Sequence, residues 1–300
     1  LERIRKETAQ ERTATIKASV NAEEGKFEGV RFRKLNTVAM LENRILYLQP
    51  FECGAFGGRI AGTFRADFGS NGSTRYQTNL KADKISAEDL VQALNLRLHN
   101  EIITGTLTLL ADVTAKGETA AELKRTILGN VRLHLENGKL RRYSVLSKIF
   151  SVLNVSQLFR FKLPDMVSDG MPYNQIDATL SLRDGVISTK DFFIESNAMN
   201  ISAVGSIDLV KEEIDATVGV QPLQTVDKVV NRIPIVGWIL TGSDKHLIST
   251  YFEAKGKLGD PTVNAVPVKS MAKGVLDIFM RVFQLPGKLI TDTGEVIIGK

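Results

Sequence analysis

The sequence predicts a mainly β protein: an elongated, strongly twisted antiparallel sheet with short helices at its end and along its opening. Apolar and polar residues alternate with period two along much of the 300-residue chain, which is typical of strands with one apolar face. The pairs Asn137-Gly138 and Asp184-Gly185 favour the positive backbone angles that tight hairpins need. The segments between the predicted strands are mostly short, so successive strands are expected to pair antiparallel.

The alternation is clearest in five predicted strands, which are Thr106–Val113, Asn130–Glu136, Gln175–Leu182, Asn200–Leu209 and Glu213–Val220. In each strand, most of the apolar residues fall on one face. A folded sheet must cover such a face with another element or bind a ligand there. We predict that the apolar inner face of the sheet includes seven residues: Ile176, Leu180, Leu182, Ile201, Ile207, Val218 and Val220.

A weak internal repeat suggests that one strand-turn-strand unit is used twice. Four apolar residues recur 141 positions later: Leu41, Leu46, Phe51 and Ile60 correspond to Leu182, Ile187, Phe192 and Ile201. The tripeptide Leu41–Asn43 also returns as Leu135–Asn137, and each copy precedes a predicted hairpin. Chance similarity between strands of equal length is the alternative explanation.

Helices are predicted to interrupt the sheet. Ser86–Asp89 and Thr119–Glu122 place a hydroxyl at the cap and a carboxylate three residues later, which is the capping-box pattern. Apolar residues at helical spacing predict two further helices, over Tyr143–Leu153 and over Leu223–Ile233, the second ended by Pro234.

A last helix, from about Lys269 to Gln284, is predicted to be a contact element for a membrane interface or for the mouth of a groove. Its wide apolar stripe consists of Met271, Val275, Ile278, Phe279, Val282 and Phe283. Lys269, Lys273 and Arg281 lie on the other side, where they could face lipid headgroups. A helix that merely plugs the end of the sheet has the same pattern, so both interpretations stay open.

Composition excludes some classes of protein. The 39 Lys and Arg against 34 Asp and Glu give a net charge of +5 with interleaved signs, which does not indicate a nucleic-acid-binding protein. The longest apolar-looking stretch, Ile233–Leu240, is far shorter than the ~20 residues of a membrane span. Cys53 is the single cysteine, so an internal disulfide and a thiolate zinc cluster are excluded.

No sequence pattern indicates catalysis or metal binding. The three histidines, His99, His134 and His246, are scattered and lack metal-ligand spacing, and His134 is predicted to be a solvated residue on the polar side of its strand. No nucleophile elbow or phosphate-binding loop occurs, and no pair of carboxylates has a basis for split pKa values. We therefore predict no catalytic residue, no metal and no cofactor.

Three consecutive blocks of the chain resemble the C-terminal region of the AsmA-like family. The first runs from Gly105 to Leu140, the second from Tyr173 to Leu209 and the third from Ile233 to Pro267, so together they cover about two thirds of the chain. The residues that carry the match are Gly105, Gly117, Thr119, Leu123, Leu128, Gly129, Asn137, Gly138, Gly259, Asp260, Pro261 and Val263. The long final helix is most similar to the YhdP-like branch and its TamB-related neighbours.

This resemblance implies a sheet curled into a hydrophobic groove, as in bridge-like lipid transfer proteins. It implies a periplasmic protein of a diderm bacterium, anchored in the inner membrane through a segment upstream of Leu1, which supports outer-membrane biogenesis. The implied partners are phospholipid or another acyl-chain lipid, the membrane surface and outer-membrane proteins. The expected organisation is a charged segment over 1–24, a groove domain over 25–267, and a helix and tail over 268–300.

Two other functions compete with a lipid conduit. One is an assembly or scaffold module that offers sheet edges to outer-membrane proteins by strand addition. The other is a plain structural spacer. A continuous apolar lining that is open at one or both ends favours lipid, whereas a closed core plugged by a helix favours a scaffold or spacer.

Overall fold

The structure is a computed structural model that describes residues 15–27, 29–69, 72–93, 101–152, 169–223, 240–241 and 248–284. Within these residues the strands form one antiparallel sheet that does not close on itself. The predicted fold class, a mainly antiparallel β-sheet with short helices, is therefore confirmed.

The strands are long and the helices between them are short. The strands are β1 (Ile16–Phe27), β2 (Val30–Glu42), β3 (Ile45–Ala55), β4 (Gly58–Phe68), β5 (Thr74–Ser86), β6 (Ile102–Ile103), β7 (Thr106–Lys116), β8 (Leu128–Arg141), β9 (Met171–Arg183), β10 (Val186–Glu195), β11 (Met199–Asp208), β12 (Glu213–Pro222), β13 (Leu240–Thr241), β14 (Ile248–Lys257) and β15 (Thr262–Val266). The α-helices are α1 (Ala87–Ala93), α2 (Ala120–Thr126), α3 (Ser144–Val152) and α4 (Lys273–Gln284).

The sheet follows chain order almost throughout. Each of β1 to β5 pairs with the next strand, β5 pairs with β7, and the order continues through β8, β9, β10, β11 and β12 to β14. β15 and the two-residue β13 both pair with β14, and β6 pairs with the end of β8. β1 begins at Ile16 and belongs to this sheet; the domain boundaries stay a prediction.

One of the two predicted hairpin turns is confirmed and the other is wrong. Asp184 and Gly185, with φ of 51° and 81°, connect β9 to β10. Asn137 also has a positive φ, 54°, but β8 continues through it to Arg141. Gly138 instead allows the backbone at Thr104 to approach closely, because a Cβ at Gly138 would lie 1.9 Å from the carbonyl oxygen of Thr104.

The internal repeat is present in the structure. Leu41 pairs with Leu46 and Leu182 pairs with Ile187, in each case across a two-residue turn. The register then shifts between Leu48 and Phe51 in β3, and 141 residues later between Thr189 and Phe192 in β10. Two copies that share a turn and a bulge argue against chance similarity.

The predicted helices are mostly found. α2 carries the full capping box, in which Thr119 and Glu122 bond to each other's backbone N–H. α1 and α3 match the predictions, although Leu153 lies outside the described residues, as do residues 224–233 of the helix predicted over Leu223–Ile233. The last helix begins at Lys273 rather than Lys269, because Val268–Ser270 form a separate 3₁₀ turn.

The two rims of the sheet differ in the connections they carry. Antiparallel order places every second connection on the same rim. The connections after β5 and β8, which contain α1 and α3, share what we call the α3 rim with the Phe56–Gly57 turn. The opposite rim carries short turns such as Asn43–Arg44 and Asp184–Gly185, together with α2.

Candidate functional site: an apolar groove

The candidate site is the inner face of the sheet, which we define as the face that contacts α3. Cross-strand pairing aligns its side chains in rows that run across the strands. The row nearest the α3 rim is fully buried and consists of Ile85, Leu107, Leu135, Ile176, Ile194, Ile201 and Val220. At this end of the strands the inner face is an ordinary hydrophobic core.

Rows nearer the opposite rim are more open. Val131, Leu180, Ile187, Ile207 and Ile214 continue the inner face there and are half-buried. Burial therefore decreases from the α3 rim along most of these strands, from a packed core to a partly uncovered apolar surface, although Leu182 at the far end of β9 is again only 8% exposed. An exposed apolar surface of this kind is unusual for a protein in water unless a ligand or partner covers it.

The inner face is most open on the first strands. Ile16 is 61% exposed, and Val20 and Leu41 are 38% and 37% exposed, although all three lie on the inner face. In the described part of the chain, helices pack on β5 and on later elements, not on β1, β2 or β3. The apolar lining is thus continuous from β1 to β15, uncovered at the β1 side and covered at the β15 side.

α3 closes the covered side. Its Ile149 is completely buried among the inner-face residues. Ser144 Oγ donates to the carbonyl oxygen of Leu258 at 3.1 Å, and Lys148 Nζ donates to that of Pro261 at 2.7 Å and contacts the Asp260 carboxylate. α3 starts after the end of β8, and its first turns are tied to the β14–β15 turn, so the helix links β8 to the last strands over the inner face.

The seven residues predicted for the apolar face all lie on the inner face. Five are at most 8% exposed and two, Leu180 and Ile207, are half-buried. Their contact with lipid stays a prediction. The structure separates the set into core residues and lining residues, which the alternation pattern alone did not do.

The six residues of the predicted apolar stripe pack on the outer face, opposite α3; five of them lie on α4, and Met271 precedes it. Phe279, Val282 and Phe283 are buried in a cluster with Phe193 of β10 and Tyr251 of β14. Met271, Val275 and Ile278 are half-buried against the same cluster. A membrane contact of this stripe stays a prediction, and in this structure it requires α4 to leave the sheet.

The surface beneath α4 is a poor partner for an apolar helix. Asn200 and Ser202 of β11 are buried on the outer face, and the Oδ1 of the first and the Oγ of the second have no hydrogen-bond partner among the described residues. Gly219 of β12 allows the close approach, because a Cβ there would lie 3.1 Å from Phe279 Cδ1. Buried polar atoms without partners weaken the docking of α4.

His134 is not the solvated histidine that the sequence predicts. Its Nδ1 lies 2.6 Å from Oδ1 of Asp177, which is 6% exposed, and its Nε2 lies 3.3 Å from Glu136 Oε1. Burial alone would lower the pKa of His134, but the bond to Asp177 and the two carboxylates outweigh it and raise that pKa. Only the register of β8 against β9 brings His134 and Asp177 together, so no local sequence signal could have found the pair.

We expect this pair to make stability fall as the pH rises through neutrality. Because the folded-state pKa of His134 is above its ordinary value of 6.5, its contribution to stability is complete below that pH and is lost as the pH passes the raised pKa of the folded state. Melting curves between pH 5.5 and 8.5 test this, because each kcal/mol of stability lost lowers the Tm by about 2–4 °C. The variant His134→Gln should lose this slope, and an equal slope in both proteins would contradict the assignment.

Within the described residues, no group of three or more His, Cys, Asp or Glu side chains is placed to hold a metal ion. No helix in the described ranges is long and apolar enough to cross a membrane.

Comparison with known proteins points to one family. The family model described as YhdP protein matches residues 3–263 of the chain. The intermembrane phospholipid transporter YhdP of Escherichia coli (strain K12) is 26% identical over 163 residues. That match covers 47% of this chain and 12% of the length of the relative. No solved structure matches the chain.

Proposed function

Because this chain belongs to the YhdP family, we propose that it is the C-terminal part of a periplasm-spanning protein that carries or shields phospholipid between the inner and outer membranes. The relative in Escherichia coli is by name an intermembrane phospholipid transporter, and the matched region is a small part of it. The proposal extends that activity to the groove described above, and with it a role in outer-membrane biogenesis.

The observation that carries the proposal is the continuous apolar inner face with an uncovered side. Burying an acyl chain contributes about 0.8 kcal/mol per CH₂ group, so a groove of leucine, isoleucine and phenylalanine side chains holds lipid without any specialised residue. The open rows supply this surface, while the packed row at the α3 rim keeps the sheet stable. The proposed role is non-catalytic and needs no cofactor.

The closure by α3 fits a terminal position in such a conduit. The groove is uncovered at β1, where upstream strands would extend it, and is covered by α3 near β15. In this proposal an upstream segment anchors the protein in the inner membrane, and α4 contacts a membrane surface or the mouth of the groove.

One observation favours the alternative of a non-catalytic assembly module for outer-membrane proteins. In the described residues β1 pairs only with β2, so its outer edge leaves backbone groups without a strand partner. An unpaired edge is a site for strand addition by another protein. A chain that carries no lipid but binds extended peptides would favour this second function.

Lipid occupancy of neighbouring variants tests the proposal. We expect Leu80→Asp, on the half-buried inner side of β5, to reduce co-purified phospholipid several-fold because it places a charge among the acyl chains. Asn79→Asp adds the same charge on the exposed outer side and is the matched control. Lipid extraction and mass spectrometry give the readout. A wild-type chain without lipid, or equal lipid in both variants, would exclude the conduit.

A further inference from the structure

A basic cavity lies at the α3 rim of the first strands, well away from α3 itself. Its volume is about 750 Å³. It is formed where β1 ends, β2 begins and the Phe56–Gly57 turn joins β3 to β4. The apolar part of its lining consists of Phe32, Cys53, Ala55 and Phe56.

The charges around this cavity are unbalanced. Four cationic side chains line it, Arg31, Arg33, Lys34 and Arg59, against two carboxylates, Glu24 and Glu52. Arg59 is held by Glu52, with 2.7 Å between Nη2 and Oε1. Within the described part of the chain, the other three cations form no side-chain hydrogen bond or ion pair, although Glu24 lies across from Arg33 in the register of β1 and β2, so an anion from outside would reduce the repulsion among them.

The backbone of β2 is distorted at this point. Lys34 has φ of 49°, which is uncommon for a residue with a side chain, and the register between β2 and β3 shifts between Arg33 and Asn36. A bulge of this kind re-aims the side chains around it, and bulges concentrate at the rims of sheets and near functional sites. Here it accompanies the gathering of three cations at one wall of the cavity.

The cavity lies where the two faces of the sheet meet at the rim. Phe32, which pairs with Ala55, belongs to the inner face, whereas Arg33, which pairs with Gly54, belongs to the outer face. Cys53 is buried on the inner face and pairs across the strands with Ile60. Further along β3, Phe51, Leu48 and Leu46 extend the same face toward the opposite rim and are half-buried. From Cys53 to Leu46 the strand spans roughly 20 Å, more than the ~15 Å depth of one leaflet of a bilayer core. An acyl chain that starts at the cavity therefore has apolar surface along its length.

We propose that this cavity binds the phosphate group of a phospholipid headgroup, whose acyl chains then lie along the inner face of β3. Arginine recognises phosphate through paired N–H donors, which suits Arg31 and Arg33. An apolar lining directly beside the cations fits a lipid and gives no advantage to free phosphate. The proposal deepens the proposed function and rests on it.

Cys53 offers a reporter, because it is the single cysteine of the chain and lies in the lining. Burial raises the pKa of its thiol, so alkylation is slow and is sensitive to further covering. We expect dioctanoyl phosphatidylglycerol to slow the alkylation of Cys53 by N-ethylmaleimide. Dioctanoylglycerol, which has the same chains without the phosphate, should protect about tenfold less, and inorganic phosphate should give no protection.

Charge-neutralising variants complete the test. The double variant Arg31→Gln with Arg33→Gln should weaken the protection of Cys53 by phosphatidylglycerol about tenfold or more. The control variant Arg75→Gln with Arg132→Gln removes the same charge from exposed outer positions and should leave the protection unchanged. If Arg33→Gln disturbs the bulge and so lowers the Tm of the double variant, the variant Arg31→Gln with Lys34→Gln is used in its place. Equal protection by dioctanoylglycerol, full protection by inorganic phosphate alone, or unchanged protection in the double variants would overturn the site.

The amount of co-purified lipid distinguishes a failure of this inference from a failure of the proposed function on which it rests. If the headgroup site is absent but the conduit exists, the Arg31→Gln and Arg33→Gln double variant keeps the wild-type amount of lipid and the same protection of Cys53. If the conduit itself is absent, the wild-type chain carries no lipid and no lipid protects Cys53.

Discussion

Aspartate at Ile176 and Ile201 is expected to unfold the protein, whereas aspartate at Leu180 and Ile207 is expected to empty the groove and leave the sheet folded. All four residues lie on the inner face, and the first two are 2% and 1% exposed while the other two are half-buried. The contrast depends on depth in the groove and not on residue type.

The expected magnitudes follow from burial. Truncating a buried isoleucine costs about 2–5 kcal/mol, and an unpaired buried carboxylate adds to that cost. Two such changes remove most of the ~5–15 kcal/mol by which a folded domain is stable. At Leu180 and Ile207 a carboxylate still reaches water, so the main effect falls on the lipid that would cover these positions.

Thermal melts and lipid mass spectrometry on both double variants measure the two effects. We expect no cooperative melt for the Ile176 and Ile201 pair, and a cooperative melt with several-fold less lipid for the Leu180 and Ile207 pair. Unchanged lipid in the folded double variant would favour the spacer interpretation of this sheet.

Displacement of α4 is expected to reveal whether this helix binds membranes. Gly219→Leu should push α4 off the sheet, because any side chain at this position meets Phe279, Phe283 and Tyr251. The displaced helix keeps its apolar stripe and its exposed cations Lys273 and Arg281. A 12-residue helix is marginal alone in water, so we expect its backbone amides to exchange rapidly until vesicles are added.

A second variant displaces α4 and also removes the stripe. Phe279→Glu with Phe283→Glu deletes two buried rings, at about 3–5 kcal/mol each, and places charges where the membrane would be. With anionic phosphatidylglycerol vesicles, we expect Gly219→Leu to float more strongly than the wild-type chain and the double variant to stay unbound. If Gly219→Leu does not float, or if all three proteins float equally, α4 is not a membrane contact.

The period-two pattern was sufficient to predict the faces of the strands. The apolar residues of Gln175–Leu182 and Glu213–Val220 lie on one side of the sheet, as the alternation requires. The turn at Asp184-Gly185 followed from the conformational preference of those two residues. These predictions succeeded because they depend on neighbouring residues alone.

Features that depend on distant residues could not be predicted. The Asn137-Gly138 pair has the composition of a hairpin, but the approach of Thr104 and Tyr173 keeps it within a strand. The pairing of His134 with Asp177 depends on strand register, which local sequence does not define when both residues lie on a polar face. The stripe of α4 would suit the sheet, the groove mouth or a membrane, and only its packing on Phe193 and Tyr251 shows which surface it covers here.

The two copies of the 141-residue repeat are separated by an even number of strands, and this limits how such a groove can grow. β9 lies six positions after β2 in the sheet order, so the two strands run in the same direction and their turns meet the same rim. At about 4.8 Å per strand, duplication of one such unit lengthens the sheet by roughly 29 Å and keeps its inner and outer faces. Insertion of an odd number of strands would reverse every later strand and move the connection that contains α3 to the other rim. Gene duplication can therefore lengthen such a sheet, with its rims and faces kept, only by even numbers of strands.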